Sequence, residues 1–204
     1  RQRQMCIRDR RYLREVRNVK CNIVNREGEV DMIDSTKGVI LVGHGGIPKG
    51  YPGDLVTKLK RLEAQRRAAG TPMSDEEYEL DQKIRLWPRT PETDPYQAGL
   101  EKLATHLKHL VGKIHFSTAY NEFCTPTLEE AVEKQIADGA TDITVVSTMF
   151  TPGGSHSEYE IPEEMAELDK KHANVTLNYA WPFDLGKVAE MLSNHIDQFH
   201  RQPV

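Results

Sequence analysis

Cysteine is scarce in this sequence, and its spacing already restricts the function. The three cysteines, Cys6, Cys21 and Cys124, contain no CxxC pair. This pattern supports neither a zinc knuckle nor a disulfide framework. It favours free thiols in a reducing compartment, so we expect a cytoplasmic protein.

Long apolar runs and a basic excess are also missing. No apolar run approaches the roughly 18 residues that span a bilayer, so we expect no membrane partner. The formal net charge of -4 provides no basic field to attract nucleic acid. Charged residues make up 28% and hydrophobic residues 38% of the 204 residues. These values suit a globular protein with one domain plus an insertion, or with two very small domains.

The first 36 residues are polar and charged, and we interpret them as an N-terminal extension. Residues 1–10 are basic and lack the apolar segment of a secretory signal. They resemble a translated sequencing adapter, so we interpret them as an artefact. Further along, scattered apolar residues predict a short edge strand or hairpin around residues 26–28. These apolar residues are Val24, Val30, Met32 and Ile33.

Four apolar runs predict the strands of the main domain, which we place at residues 37–204. The first, residues 38–42, is continuous and ends in glycines, which is typical of a strand buried on both faces. The alternation of strands and helices predicts an α/β fold, with a four-stranded parallel sheet flanked by helices. The other predicted strands are residues 113–118, 143–149 and 175–179. The predicted helices are residues 96–110, 127–137, 162–171 and 186–199.

Residues 48–94 interrupt this alternation after the first strand. Two helical segments predict a helical-hairpin insertion, and Ser74 with Glu77 matches a capping box at the start of the second helix. A solvated insertion without function, a lid and a dimer contact all fit this pattern. Its basic side chains either form a solvated surface or meet carboxylates of a ligand. These side chains are Lys49, Lys58, Lys60, Arg61, Arg66 and Arg67.

Three polar motifs each follow a predicted strand. They contain His44, Glu122 and His156. Because ligands bind beyond the carboxyl ends of parallel strands, we expect these side chains to converge on one cleft. Two imidazoles and a carboxylate are suitable ligands for Fe²⁺, Co²⁺ or Ni²⁺, and three ligands leave coordination positions open. A neutral imidazole can also accept a proton as a general base.

Glycines lie beside both histidines. Gly43 and Gly45 flank His44, and Gly153 with Gly154 precedes His156. Without a Cβ atom the backbone can approach a large flat ligand closely, so we predict that these four glycines contribute to ligand binding. A hydrolase that uses the His-Gly-Gly loop as an oxyanion site is disfavoured, because the sequence lacks a Gly-x-Ser-x-Gly nucleophile elbow.

The remaining candidate ligands have simpler interpretations. Cys124 lies near Glu122 and could border the site, but a small buried thiol fits it better. His106 and His109 share a helix face and are predicted to be solvated. His115 lies within a predicted strand and is interpreted as a hydrogen-bonded core histidine.

Four motifs occur in a characteristic order. Residues 41–45 end a strand in Gly-His-Gly, and Glu122 precedes Pro-x-Leu-Glu-Glu-Ala at residues 126–131. Residues 154–156 read Gly-Ser-His before Glu-Ile-Pro at residues 160–162, and a Trp-Pro-Phe-Asp-Leu-Gly stretch follows at residues 181–186. In this order the motifs resemble the class II chelatases, the small sirohydrochlorin cobaltochelatase and ferrochelatase family.

The resemblance implies a chelatase-like α/β domain and a specific reaction. The enzyme would insert Co²⁺ or Fe²⁺, or else Ni²⁺, into sirohydrochlorin or a related tetrapyrrole. His44 and His156 would be catalytic and metal-binding, and Glu122 would be the third metal ligand. The metal is then a substrate and no organic cofactor is expected. A single set of motifs implies a homodimer. The same ligands would also serve a non-catalytic carrier of a metal or metallo-tetrapyrrole.

Overall fold

A computed structural model of the protein describes residues 22–24, 30–32 and 34–200. The interpretation of residues 1–10 as an artefact lies outside these ranges, and so do Cys6 and Cys21. Strands β1 (Asn22–Val24) and β2 (Val30–Met32) pair in antiparallel fashion. This pairing confirms the predicted hairpin, although its turn is not among the described residues.

The main sheet has four parallel strands in the order β4-β3-β5-β6. They are β3 (Asp34–Gly43), β4 (Ile114–Tyr120), β5 (Asp142–Ser147) and β6 (Thr176–Tyr179). The predicted four-stranded parallel sheet is therefore confirmed, although β3 begins before the predicted domain boundary at residue 37. Gly43 pairs with Tyr120 and Val42 pairs with Ser147, so the loops that follow three strands begin side by side.

The helices lie where the apolar periodicity predicts them. They are α1 (Gly53–Ala69), α2 (Asp75–Arg85), α3 (Pro95–Val111), α4 (Leu128–Ala137), α5 (Ile161–Lys171) and α6 (Leu185–His200). A π-helical turn, His156–Glu160, leads directly into α5. Such turns are rare and often occur at functional sites.

Alternate side chains of β3 enter two different core layers. Ile40 and Val42 belong to an apolar cluster with Val132 of α4 and Met165 of α5. Leu41 belongs to a second cluster, on the side of α3. The sheet is therefore covered by helices on both faces, which explains why its central strand is a continuous apolar run.

The insertion after β3 has an apolar core of its own. Leu59 of α1 packs with Leu80 and Ile84 of α2 in a cluster that also includes Phe123, next to Glu122. Ser74 accepts a hydrogen bond from the backbone N–H of Glu77, as predicted, at 3.2 Å. The predicted return bond of the capping box is not made. The Glu77 carboxylate, 2% exposed, instead accepts a hydrogen bond from Arg66 at 2.8 Å.

Helix α6 has an apolar face that stays exposed in the single chain. Its large apolar side chains are between 46% and 67% exposed. Within the described part of the chain no helix combines the length and apolar character that a membrane span needs. The apolar side chains of α6 are Leu185, Met191, Leu192, Ile196 and Phe199.

Candidate metal centre

His44 is the first residue after the central strand. Its backbone N–H donates a hydrogen bond to the hydroxyl of Tyr96 in α3 at 2.7 Å. Its ring Nδ1 lies 2.8 Å from the carbonyl oxygen of Gly45. Because a carbonyl oxygen only accepts hydrogen bonds, this contact requires the proton on Nδ1. The lone pair of Nε2 is then available for a cation or a proton.

Glu122 lies in a loop that is bonded to the end of β3. The N–H of Asn121 donates to the carbonyl of Gly43 at 3.0 Å, and the N–H of Glu122 donates to the carbonyl of His44 at 2.8 Å. Gly45, at φ +94°, approaches this loop so closely that a Cβ atom would lie 1.8 Å from the carbonyl oxygen of Glu122. The two loops can therefore take these positions only with glycine at residue 45.

His156 begins the π-helical turn and contacts two polar side chains. Its Nδ1 lies 3.0 Å from the carboxylate of Glu160 and 2.8 Å from the amide nitrogen of Asn121. Burial alone would raise the pKa of Glu160, but hydrogen bonds from Arg67, His156 and Asn121 lower the pKa to about 2. Glu160 and Asn121 thus hold the ring through Nδ1, and its Nε2 lies 4.0 Å from Oε1 of Glu122.

The predicted convergence of three side chains is present. The ligand atoms of His44, Glu122 and His156 all lie within 4.8 Å of one another. The two imidazole rings meet edge to face at a centroid distance of 4.8 Å. Ligands on one tetrahedral ion lie roughly 3.4 Å apart, given bonds of about 2.1 Å. The cluster is therefore slightly wider than a closed metal site and needs only small side-chain movements to bind an ion.

Helix α1 of the insertion forms one wall of the cleft above these residues. The cleft is open and has a volume of about 430 Å³. Lys60 donates hydrogen bonds to Glu122 at 2.6 Å and to Glu63 at 3.1 Å. Arg67 contacts Glu160 at 2.9 Å. Two of the basic side chains singled out in the insertion thus reach the site, where they pair with carboxylates of the protein itself.

Arginines near the end of α2 hold the loop that carries Glu122. Arg85 donates to the carbonyl of Cys124 at 2.8 Å and to the carbonyl of Asn121 at 3.3 Å. Arg89, whose side chain is 6% exposed, donates to the carbonyl of Phe123 and pairs with Asp94. The sequence gives no sign of these contacts, because each arginine binds backbone more than 30 residues away.

A comparison with known protein families shows to which family this chain belongs. The family model of CbiX matches residues 92–198, which is more than half of the chain. The chain belongs to the CbiX family. This finding confirms the resemblance that the motifs carry. The matched residues include Glu122 and His156, but they include neither His44 nor residues 48–91 of the insertion.

Relatives of this CbiX-family chain include named chelatases. A sirohydrochlorin cobaltochelatase of Priestia megaterium is 27% identical over 106 residues, which cover 52% of this chain and 34% of that protein. A sirohydrochlorin ferrochelatase of Bacillus subtilis (strain 168) is 30% identical over 88 residues, which cover 43% of this chain and 32% of that protein. The chain thus spans about a third of the length of these relatives.

Solved structures give weaker similarity. A cobalamin (vitamin B12) biosynthesis CbiX protein from Marinobacter aquaeolei VT8 has a TM-score of 0.49 and 16% identity, and the match covers 81% of this chain and 99% of that one. The sirohydrochlorin chelatase SirB from Bacillus subtilis subspecies spizizenii, in complex with cobalt, has a TM-score of 0.42 and 22% identity. That match covers 72% of this chain and 43% of the other.

The four glycines predicted to bind a ligand lie in different surroundings in this CbiX-family chain. A Cβ atom at Gly43 would lie 2.6 Å from Leu100 of α3, so this glycine allows close helix packing. Gly45 allows the approach of the Glu122 loop. Gly153, at φ +92°, and Gly154 line an open cleft beside His156. Of the four, Gly153 and Gly154 are therefore the better placed to lie against a ligand.

The secondary candidates largely follow the predictions. Cys124 is fully buried, and burial raises the pKa of its thiol, which confirms the small buried thiol. His106 and His109 are exposed, as predicted. His115 is only partly buried, and among the described residues its Nε2 has no hydrogen-bond partner. The prediction of a hydrogen-bonded core histidine at residue 115 is therefore wrong.

Proposed function

We propose that this protein inserts a divalent metal ion into a tetrapyrrole of the sirohydrochlorin type. The observation that carries the proposal is the meeting of His44, Glu122 and His156 at the carboxyl edge of the sheet, within 4.8 Å. The names of the relatives, sirohydrochlorin cobaltochelatase and ferrochelatase, support the same reaction. The ion is a substrate, and Co²⁺ or Fe²⁺ is the preferred proposal, with Ni²⁺ as a third candidate.

The three side chains supply the two functions that metal insertion needs. The incoming ion exchanges water for the imidazoles of His44 and His156 and the carboxylate of Glu122, and open coordination positions remain for the macrocycle nitrogens. Two pyrrole N–H protons leave as the metal–nitrogen bonds form. The Nε2 atoms of His44 and His156, once they no longer bind the ion, can each accept one of these protons. Glu160 orients His156 for both roles through Nδ1.

A spectroscopic assay tests the proposal directly. The purified protein is mixed with sirohydrochlorin and, in separate reactions, Co²⁺, Fe²⁺ or Ni²⁺, and the absorption change of the macrocycle is followed. We expect many turnovers per protein molecule, and at least about a 100-fold loss of rate in His44→Ala and His156→Ala. His109→Ala, at an exposed position of α3, is the matched control and should keep its activity.

Two other results would lead to different conclusions. Formation of one metallated macrocycle per protein molecule, without further turnover, would indicate a carrier rather than an enzyme. Full activity in both histidine variants would remove the proposed site. Placement of the protein in the cytoplasm stays a prediction based on the spacing of the cysteines.

We further propose that the active protein is a homodimer. The exposed apolar face of α6 supports this proposal, because side chains such as Ile196 (51% exposed) and Phe199 (67% exposed) are energetically unfavourable in water. Light scattering after gel filtration should give twice the chain mass. Ile196→Glu should shift the protein to a monomer, whereas Ser193→Glu on the same helix should leave it dimeric. A monomeric wild type would refute this proposal.

A further inference from the structure

One face of α1 lies across the metal centre and carries two cations. Lys60 and Arg67 are seven residues apart, which is about two helical turns, so they project from the same side of the helix. Lys60 pairs with Glu122, and Arg67 pairs with Glu160. Glu63 lies between them and contacts both. The insertion therefore provides a cation to each carboxylate of the site.

Lys60 donates a hydrogen bond to a carboxylate oxygen of Glu122, one of the proposed metal ligands. Its Nζ is 2.6 Å from Oε1 of Glu122, and the same oxygen lies 4.0 Å from Nε2 of His156. An ion bound to this oxygen at about 2.1 Å would be no farther than about 4.7 Å from the Lys60 nitrogen. Two positive charges at this distance repel each other, so the ammonium group and the metal disfavour each other on Glu122.

Lys60 can move away from Glu122 at a small cost in free energy. Its side chain is 40% exposed and has a flexible four-carbon stem, so the ammonium group can move into solvent. Glu63, at 3.1 Å, can remain its partner after the contact with Glu122 is broken. The Glu122 side chain is only 13% exposed and would otherwise be an unpaired carboxylate in the empty site.

We propose that Lys60 is a built-in competitor of the metal, which neutralises Glu122 in the empty site and must leave it when the ion binds. The inference rests on the proposed function of His44, Glu122 and His156 as the metal site. The competition lowers the affinity of the site for its ion. A weakly held ion passes more readily to the macrocycle, and the return of Lys60 to Glu122 stabilises the empty site after transfer.

The test measures binding of Co²⁺ alone by calorimetry, at constant pH and ionic strength. Lys60→Gln and Lys60→Met should bind Co²⁺ about tenfold more tightly than the wild type, because no charge-assisted hydrogen bond has to be broken. Lys60→Met retains an apolar stem beside the ring of Phe123, over which the lysine nitrogen lies at 4.7 Å. Lys58→Gln is the matched control, since Lys58 is equally exposed but pairs with Glu76.

Each result has a defined meaning. Tighter binding in both Lys60 variants, with unchanged binding in Lys58→Gln, supports the inference. Unchanged or weaker binding in the Lys60 variants overturns it, and so does equal tightening in Lys58→Gln, which would reflect net charge alone. His156→Ala should lose Co²⁺ binding. If this variant binds like the wild type, the proposed metal site itself fails, whatever the role of Lys60.

Discussion

Replacing Gly45 by alanine should disable the metal centre without touching any of its side chains. Gly45 has φ +94°, and an added Cβ atom would lie 1.8 Å from the carbonyl oxygen of Glu122. Gly50 provides a matched control within the same connection. Its φ is +85°, and among the described residues no atom lies within 4 Å of an added Cβ. Both substitutions place an alanine at a positive φ, and only the one at residue 45 adds a collision with Glu122.

The structure gives an expected loss of stability for each variant. Alanine in a left-handed conformation costs about 1 kcal/mol, so Gly50→Ala should lose about this much stability. In Gly45→Ala the Cβ must also move at least about 1.2 Å from the Glu122 carbonyl, since contacts below 3.0 Å essentially do not occur. Arg85 and Arg89 restrain this loop, so overpacking adds about 2 kcal/mol, for a total of about 3 kcal/mol.

Urea unfolding measures the loss of stability in each variant. Co²⁺ titration and the chelatase assay measure the effect on the site. A displacement of Glu122 by about 1 Å should lower kcat/KM by about 100-fold in Gly45→Ala, whereas Gly50→Ala should keep its activity and its Co²⁺ affinity. The reasoning fails if both variants lose the same stability and Gly45→Ala still binds Co²⁺ like the wild type. In that case the close approach of the two loops does not position the carboxylate.

Two further predictions concern stability away from the metal centre. Thr127 and Glu130 form a complete capping box at the start of α4, so Thr127→Ala should cost about 1 kcal/mol in urea unfolding, whereas Thr127→Ser should retain most of the stability. Burial raises the pKa of Glu164, so the fold disfavours its charged form, and this part of the stability is lost as the pH rises above 4.5. Glu164→Gln should therefore exceed the wild type in stability at pH 7, and denaturation at pH 4 should remove the difference.

The sheet and the meeting of the three site residues follow from local sequence signals. Continuous apolar runs identify the strands, and parallel strands bring the loops after their carboxyl ends together. His44, Glu122 and His156 each come soon after such a strand, so their proximity needs no knowledge of loop structure. The roles of these residues as ligands and bases remain predictions, and so does the division of the chain at residue 37.

The contribution of the insertion could not be predicted in this way. The contact between Lys60 and Glu122 joins residues 62 positions apart, and ion pairs of this kind leave no periodic trace in a sequence. The capping box predicted at Ser74 and Glu77 shows the same limit. The helix begins where the pattern predicts, but the carboxylate of Glu77 accepts a hydrogen bond from Arg66 on the neighbouring helix instead of from the backbone of Ser74. Tertiary contacts override local preferences most strongly where a charged group is buried.

The two ends of the insertion lie side by side, since the N–H of Lys49 donates to the carbonyl of Thr93 at 2.8 Å. We therefore expect a shortened protein, with a tight turn in place of the hairpin, to close its backbone and keep the four-stranded sheet. Such a miniature would lack Arg85 and Arg89, and the carbonyls of the Glu122 loop would have to find water instead. We therefore expect the shortened protein to keep its fold and to lose its activity.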